Sequence, residues 1–189
     1  MSESILWYAT RGAGFVSLIM LTGVVCLGIL TSVRWQRPGW PRFLTVQLHQ
    51  SVSLLSLVFL AIHILVAVVD PYTSLGLAAL VPFASRYRTI WLGLGAVALY
   101  LVIAITGTSL IRNSLGHRAW RVVHWLTYAA WPIALVHGIG TGSDTGAVWS
   151  WLLDGACVAA ALGATAWRIG YARSARAERE RALPALERR

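Results

Sequence analysis

The sequence predicts an all-α integral membrane protein, a bundle of about five transmembrane helices, on three observations. Of its 189 residues 57% are hydrophobic and only 12% are charged, which is typical of polytopic membrane proteins. Five apolar stretches each approach the ~20 residues that cross a ~30 Å hydrocarbon layer at ~1.5 Å rise per residue. Turn-forming or arginine-rich segments separate these stretches. The predicted spans are residues 12–33, 44–69, 90–111, 122–140 and 147–167.

The remaining segments fit around these spans. Residues 1–170 are predicted as one membrane domain, and residues 171–189 as an arginine-rich cytoplasmic tail. The apolar segment Thr73–Ser85 is too short to span and contains Pro82, which predicts a re-entrant or interfacial cap. Asp154 lies inside the fifth span, where a carboxylate should face the bundle or water. A proton or acceptor site and a hydrogen-bonded structural role both remain open for it.

The arginines orient the bundle, since all 16 basic residues are arginine. They cluster in the first loop, the third loop and the tail, whereas the second loop has two and the fourth has none. The positive-inside rule therefore predicts a cell (plasma or inner) membrane protein with its N-terminus outside and its C-terminus in the cytoplasm. Because topology explains the net charge of +9, we expect lipid and no nucleic acid as partner. The loop arginines counted as inside are Arg34, Arg37, Arg42, Arg112, Arg118 and Arg121.

Four of the five histidines lie within predicted spans, two on the second span and two on the fourth. An ionisable side chain in hydrocarbon is expensive and is therefore a functional-site hypothesis. His49 and His63 are 14 residues apart, which is about 21 Å in height and ~40° around a helix. Spans two and four run in the same direction, so His49 should meet His124 near the cytoplasm and His63 should meet His137 near the outside. His117 is predicted to be a solvated histidine of the third loop.

Each pair can supply two axial imidazoles to one macrocycle, which predicts two haem b groups stacked between helices 2 and 4. The four histidines are thus predicted both to bind the cofactor and to ligate its iron. No CxxCH motif is present, so covalent attachment is not expected. His124 and His137 are 13 residues apart, or about 140° on an ideal helix, and need a distortion to share a face. Pro132 lies between the two histidines, and we expect the helix to be distorted there.

Five short segments surround these histidines. They are Leu48-His49-Gln50, Ala61-Ile62-His63, Ile105-Thr-Gly-Thr-Ser109, Trp120-Arg-Val-Val-His124-Trp and His137-Gly-Ile-Gly-Thr-Gly-Ser-Asp144. Together, over roughly Thr10–Trp167, they resemble the ferric reductase-like transmembrane domain. That family includes the membrane halves of NADPH oxidases and ferric reductases, and bacterial haem-binding subunits of methionine sulfoxide reductase systems.

The resemblance implies electron transfer from a cytoplasmic donor to an external acceptor, through an inner haem on His49 and His124 and an outer haem on His63 and His137. No GxGxxG follows a strand in this sequence. We therefore expect a separate donor, either a flavin reductase carrying the flavin or a membrane quinol. The acceptor stays open between ferric iron, oxygen, an extracytoplasmic flavoprotein and a methionine sulfoxide reductase. The chain is then the haem-binding membrane subunit of an oxidoreductase and needs no catalytic residue of its own.

Arginines near the paired histidines are candidate ligands for haem propionates, because a guanidinium pairs with a carboxylate through two hydrogen bonds. Arg11, at the mouth of span one, and Arg121, three residues before His124, are the selected candidates. Two other functions remain open: a quinol-oxidising b-type cytochrome subunit, and a histidine-based metal-ion transporter or membrane anchor. The transporter predicts carboxylates beside the histidines, and spans two and four contain none.

Overall fold

The computed structural model describes residues 2–33, 35–36, 38–70 and 75–186, which form helices and no β-strand. Side chains are described from residue 5 to residue 176 within these ranges. The helices are α1 (Ser2–Ser32), α2 (Arg42–Val69), a 3₁₀ helix (Gly76–Leu80), α3 (Thr89–Leu110), α4 (Arg112–Leu115), α5 (His117–His124), α6 (Thr127–Thr141) and α7 (Val148–Leu186).

Some predicted features fall on residues that the structure does not describe. Arg34 and Arg37 of the first loop, and Thr73 and Ser74 of the cap, lie outside the described residues. The same holds for residues 187–189 of the predicted tail.

Five helical segments are long and apolar enough to cross a membrane, as predicted. Large apolar side chains cover their outer faces: Leu54 and Leu65 of α2 are each 64% exposed. Burying such a side chain away from water is worth about 1.5–3 kcal/mol, and lipid provides that environment here. The chain is therefore an all-α integral membrane protein. The segments are Ile5–Ser32, Arg42–Val69, Thr89–Leu110, His117–Thr141 and Val148–Arg176.

Two helices extend further than the apolar stretches that predicted them. The first helix, α1, begins at Ser2 rather than at residue 12, and α7 continues to Leu186 through residues predicted as a tail. Hydropathy locates the part of a helix that lies in hydrocarbon, whereas backbone hydrogen bonding continues into polar residues beyond it. The predicted spans therefore mark the apolar parts of these two helices, and the helices themselves are longer.

The helix α1 is central, packing against α2, α6 and α7, while α3 packs against α6. A small core forms where three of these helices meet, around Leu18, Leu135 and Cys157. Halfway along the bundle, the indole N–H of Trp131 on α6 donates to the hydroxyl of Thr22 on α1 (2.9 Å). These contacts hold the fourth span beside both α1 and α3.

The fourth span is two helices rather than one. A turn at Trp125–Leu126 separates α5 from α6, and α5 begins at His117, which is an exposed helical residue rather than a loop residue. Through this turn several backbone amides donate to the carbonyl three residues earlier, at 2.9–3.1 Å. A 3₁₀ turn has about 3.0 residues instead of 3.6, so each such residue adds ~20° of rotation. Several of them bring His124 and His137 towards one face.

The helix is thus distorted between the two histidines, as their spacing requires, but not at Pro132. That proline lies inside the continuous helix α6, seven residues after the turn begins. Proline lacks an N–H and its ring crowds the carbonyl four residues earlier, so the distortion falls on the preceding turns.

The described part of the connection between α2 and α3, residues 75–88, contains no helix long enough to span the membrane. It contains the short 3₁₀ helix and then turns into α3, with positive φ at Phe83 (62°) and Arg88 (43°). The Phe83 ring packs directly on Gly93 of α3, where a Cβ would lie 2.1 Å from its Cδ1 atom. Leu75 is buried, and with Ala79 it lines a cavity in the bundle. The described part of Thr73–Ser85 therefore forms a cap, as predicted.

Candidate functional site

The four histidines inside the spans form two pairs, each between α2 and the fourth span. The ring centres of His49 and His124 are 6.4 Å apart, with planes at 72°. Those of His63 and His137 are 6.3 Å apart, with planes at 79°. These are the two pairs that the helix directions predict, and we call them the 49/124 pair and the 63/137 pair.

Both separations fit two imidazoles that bind one metal ion from opposite sides. A nitrogen–metal bond of about 2.0 Å, with the ring centre about 1.2 Å behind the nitrogen, separates the two centres by ~6.4 Å. Two ligands per site is the number that axial coordination of a haem requires, whereas structural zinc takes four. Among the described residues no group of three or more His, Cys, Asp or Glu could hold a metal ion.

Three of the four histidines donate a hydrogen bond from Nδ1 to a backbone carbonyl of a neighbouring helix. A carbonyl only accepts, so Nδ1 carries the hydrogen and Nε2 keeps its lone pair. This is the tautomer that a metal ligand needs, and such a bond also fixes the ring orientation and raises its basicity. The bonds are His49 to Val24 (3.2 Å), His63 to Thr10 (2.9 Å) and His137 to Trp91 (2.8 Å).

Glycines give the rings access to these carbonyls. A helical carbonyl points towards the residue four positions later, so a side chain there would cover it. In all three cases that residue is glycine. A Cβ would lie 2.5 Å from the His137 ring at Gly95, 3.1 Å from His63 at Gly14 and 3.4 Å from His49 at Gly28.

His124 is held differently. Its Nδ1 is buried and has no hydrogen-bond partner within the described part of the chain. Its ring stacks on Trp120, one turn earlier in α5, with ring centres 5.0 Å apart and planes at 29°. Trp120 stacks in turn on His117 (5.2 Å) and donates its indole N–H to the Ser109 hydroxyl of α3 (3.2 Å).

The 63/137 pair lines a cavity of about 710 Å³, within the ~300–1,000 Å³ range of cofactor and ligand pockets. Its walls come from α1, α2, α3, α6, α7 and the cap, and the 49/124 pair does not line it. Asp154 also lines this cavity and is only 7% exposed, so it faces the bundle as expected.

Arg11, a predicted propionate ligand, lines the same cavity. Its guanidinium forms an ion pair with Asp144 and donates to the Ser143 hydroxyl (2.5 Å). It also lies over the rings of Trp7 (5.1 Å) and Phe15 (5.8 Å). Its Nε is buried and has no hydrogen-bond partner among the residues that the structure describes. Two of its three nitrogens thus tie the α6–α7 connection to α1.

Arg121, the other predicted arginine, lies at the opposite end of the bundle. It is exposed, and its guanidinium donates to Nε2 of His117 (2.7 Å). It stands one turn before the 49/124 pair in α5, on the side where His117 and Trp120 continue the stack of rings from His124.

The carbonyls, the glycines and the stacking tryptophan were not found from the sequence. Every residue has a backbone carbonyl, whatever its side chain, so the residue types at Thr10, Val24 and Trp91 do not indicate that these carbonyls bind histidines. One signal was present: Gly14 and Gly28 have the same 14-residue spacing as His49 and His63.

The family described as "Ferric reductase like transmembrane component" matches residues 13–135, well over half of the chain. The matched range contains three of the paired histidines and ends two residues before His137. No curated protein and no solved structure matches the chain. With five spanning helices and the two histidine pairs between them, the chain belongs to the ferric reductase-like transmembrane family.

Proposed function

We propose that this protein transfers electrons across the membrane through two haem b groups, one at each histidine pair. The observation that carries the proposal is the repeated pair geometry, with ring centres 6.4 and 6.3 Å apart at two heights of the bundle. Membership of a family of membrane redox proteins supports it independently. A haem held by two imidazoles supplies a one-electron ferric/ferrous couple.

The chain's own residues hold and orient the cofactors. Three of the four histidines present Nε2, because backbone carbonyls fix the tautomer and rotation of their rings, and the stacking on Trp120 orients His124. Helix rise separates the two pairs by about 21 Å, so one lies near each membrane surface. At the 63/137 end, the buried Nε of Arg11 is a free donor for a haem propionate.

Haem content and ligation test this proposal. The purified chain is expected to contain two haems by pyridine haemochrome assay, both six-coordinate and low-spin. Replacing any one paired histidine by alanine should lower the ratio to one. His117→Ala is the control on the same span as His124, because His117 faces no other histidine, and it should retain two haems. A ratio near zero, with zinc or copper bound instead, would favour the metal-transporter alternative.

We further propose that the 63/137 end faces outward and the 49/124 end faces the cytoplasm. The arginines support this, since Arg112, Arg118 and Arg121 lie at the 49/124 end and α7 carries further arginines beyond it. A C-terminal green fluorescent protein fusion should then fluoresce, and a C-terminal alkaline phosphatase fusion should be inactive. The reverse pair of results would mean that the 49/124 end faces outward, and the proposed direction of electron flow would then be wrong.

The donor in this proposal is a separate protein or lipid-soluble molecule that reaches the 49/124 end, either a flavin reductase or a quinol. The acceptor is an extracytoplasmic flavoprotein or reductase, or a small oxidant. Stopped-flow reduction of the haems by a quinol analogue, compared with a flavin reductase, separates the two donors. Rapid reduction by the quinol alone would favour the quinol-oxidising cytochrome alternative.

A further inference from the structure

The carbonyl-and-glycine arrangement that holds three histidines repeats along the helices. We call each arrangement a seat: a carbonyl residue, with glycine four positions later. The two seats of α1 are 14 residues apart, which is about 21 Å of rise and ~40° of rotation. A step of 14 residues from the seat on α3 therefore reaches the level of the 49/124 pair on the corresponding face. The seats are Thr10/Gly14, Val24/Gly28 and Trp91/Gly95, and the step from the last leads to Ile105/Ser109.

At this fourth position serine replaces glycine. The Ser109 hydroxyl donates to the Ile105 carbonyl (2.7 Å), the same carbonyl that the register offers to a histidine. The hydroxyl also accepts the indole N–H of Trp120 (3.2 Å), whose ring stacks on His124. The carbonyl is therefore covered, and the buried Nδ1 of His124 is without a partner among the described residues.

We propose that Ser109 and Trp120 are positioning residues for His124, which they orient by stacking while keeping its Nδ1–H from the Ile105 carbonyl. This inference rests on the proposed haem function. An imidazole without a hydrogen bond at Nδ1 is less basic and donates less electron density to iron. Because electron donation stabilises the ferric state, the arrangement makes the haem at the 49/124 pair easier to reduce than a carbonyl-seated ligand would.

Ser109→Gly tests the inference by restoring the seat. The Thr108 hydroxyl also donates to the Ile105 carbonyl (3.1 Å), so every variant of this test is made in a Thr108→Val background. With both hydroxyls and the Ser109 Cβ gone, His124 gains the Ile105 carbonyl. The equilibrium constant for reduction of that haem should then fall by roughly tenfold, which is about 59 mV for one electron. Redox titration of the full chain, repeated in the His63→Ala background to isolate this centre, measures the shift. Ser109→Ala keeps a Cβ over the carbonyl and should not lower the potential.

Thr165→Gly is the matched control. Thr165 also returns its hydroxyl to the carbonyl four residues earlier (2.8 Å), but it lies on α7, which carries none of the paired histidines. Its replacement should leave both potentials unchanged. An unchanged potential in Ser109→Gly, or an equal shift in the control, would overturn the inference while leaving the haem proposal intact. Absence of haem from the wild-type chain would instead remove the proposed function.

Trp120→Leu provides an independent test if Ser109→Gly fails to fold. Removing the stacked ring should weaken haem retention at the 49/124 pair by at least tenfold, as loss of an orienting partner typically does, and should not affect the 63/137 pair. Trp167→Leu is its control, since Trp167 is a partly exposed tryptophan of α7 whose ring lies tilted against Tyr171 and not against a histidine. Unchanged retention in Trp120→Leu would contradict the positioning role.

Discussion

The two ends of the bundle present the same pair of imidazoles in different surroundings. At the 63/137 end both rings donate to carbonyls, at 2.9 and 2.8 Å, and both line a cavity that the cap and Arg11 also line. At the 49/124 end His49 donates over a longer 3.2 Å, and His124 relies on stacking with Trp120. The ring separations nevertheless agree to within 0.1 Å.

This difference separates two determinants of a ligand pair. The distance between the rings is common to both ends and is set by the positions of α2 and the fourth span, which α1 holds by packing against both α2 and α6. Ring orientation and basicity are set by the neighbouring helix, α1 or α3, and can differ between ends without changing the distance. The two sites should therefore share their coordination number and differ in cofactor retention and reduction potential.

The largest expected effect breaks one end and spares the other. His63→Ala and His137→Ala should each remove the same haem, and the double variant should lose no more, because two changes that act on one cofactor cannot add. His49→Ala and His124→Ala should remove the other haem. Transmembrane electron flow should stop in all four, since either loss leaves a gap comparable to the ~21 Å set by helix rise. Potentiometric titration of each variant identifies which centre is missing.

A different grouping would contradict this assignment. If His63→Ala abolished the same redox centre as His124→Ala, the pairing would be crossed, and both the relative helix directions and the haem assignment would be wrong.

Replacing the seat glycines sharpens the comparison. Gly95→Ala should be the most damaging, because its Cβ would lie 2.5 Å from the His137 ring, and overpacking of this kind typically costs about 1–3 kcal/mol. Gly14→Ala should be intermediate and Gly28→Ala the mildest, in the order of their 3.1 and 3.4 Å contacts. Haem retention during thermal unfolding measures the series.

Gly163→Ala on α7 is the control for this series. A Cβ there has no neighbour within 4 Å, so the variant should be neutral or more stable by up to about 1 kcal/mol through better helix propensity. Equal effects of the three seat substitutions and this control would mean that the glycines do not provide access to the carbonyls.

The smallest expected effect concerns the charged contacts at the 63/137 end. Asp144→Ala removes a partly exposed ion pair, worth about 1 kcal/mol or less, and frees the α6–α7 connection. Arg11→Ala removes that pair and also the buried Nε donor, so it should release haem from the 63/137 pair faster than Asp144→Ala does. Haem transfer to apomyoglobin measures the release rates. Equal rates would show that Arg11 only holds the loop and does not bind a propionate.

Much of this architecture follows from hydropathy and helix direction. Large apolar side chains such as Leu54 and Leu65 are exposed on the surface of the bundle, where they are favourable only in contact with lipid. Long runs of such apolar residues predicted the spans. The two histidine heights followed from helix rise. The directions in which His124 and His137 point around the fourth span could not be predicted in the same way. They depend on a local change to 3₁₀ hydrogen bonding after His124, which is decided by how the turns before Pro132 adapt to that proline and pack against neighbouring helices.

The sequence by itself determined the membrane class, the number of spans, and which four histidines meet in two layers, because each depends only on composition and on residue spacing along helices. The tertiary structure alone decided what each ring bonds to behind its metal-facing nitrogen. The acceptors are backbone carbonyls of α1 and α3. Every residue has such a carbonyl, so the residue type does not predict which one a histidine binds. The packing of one helix on another determines that the carbonyls of Thr10, Val24 and Trp91 accept these hydrogen bonds. It also determines that His124 stacks on Trp120 instead.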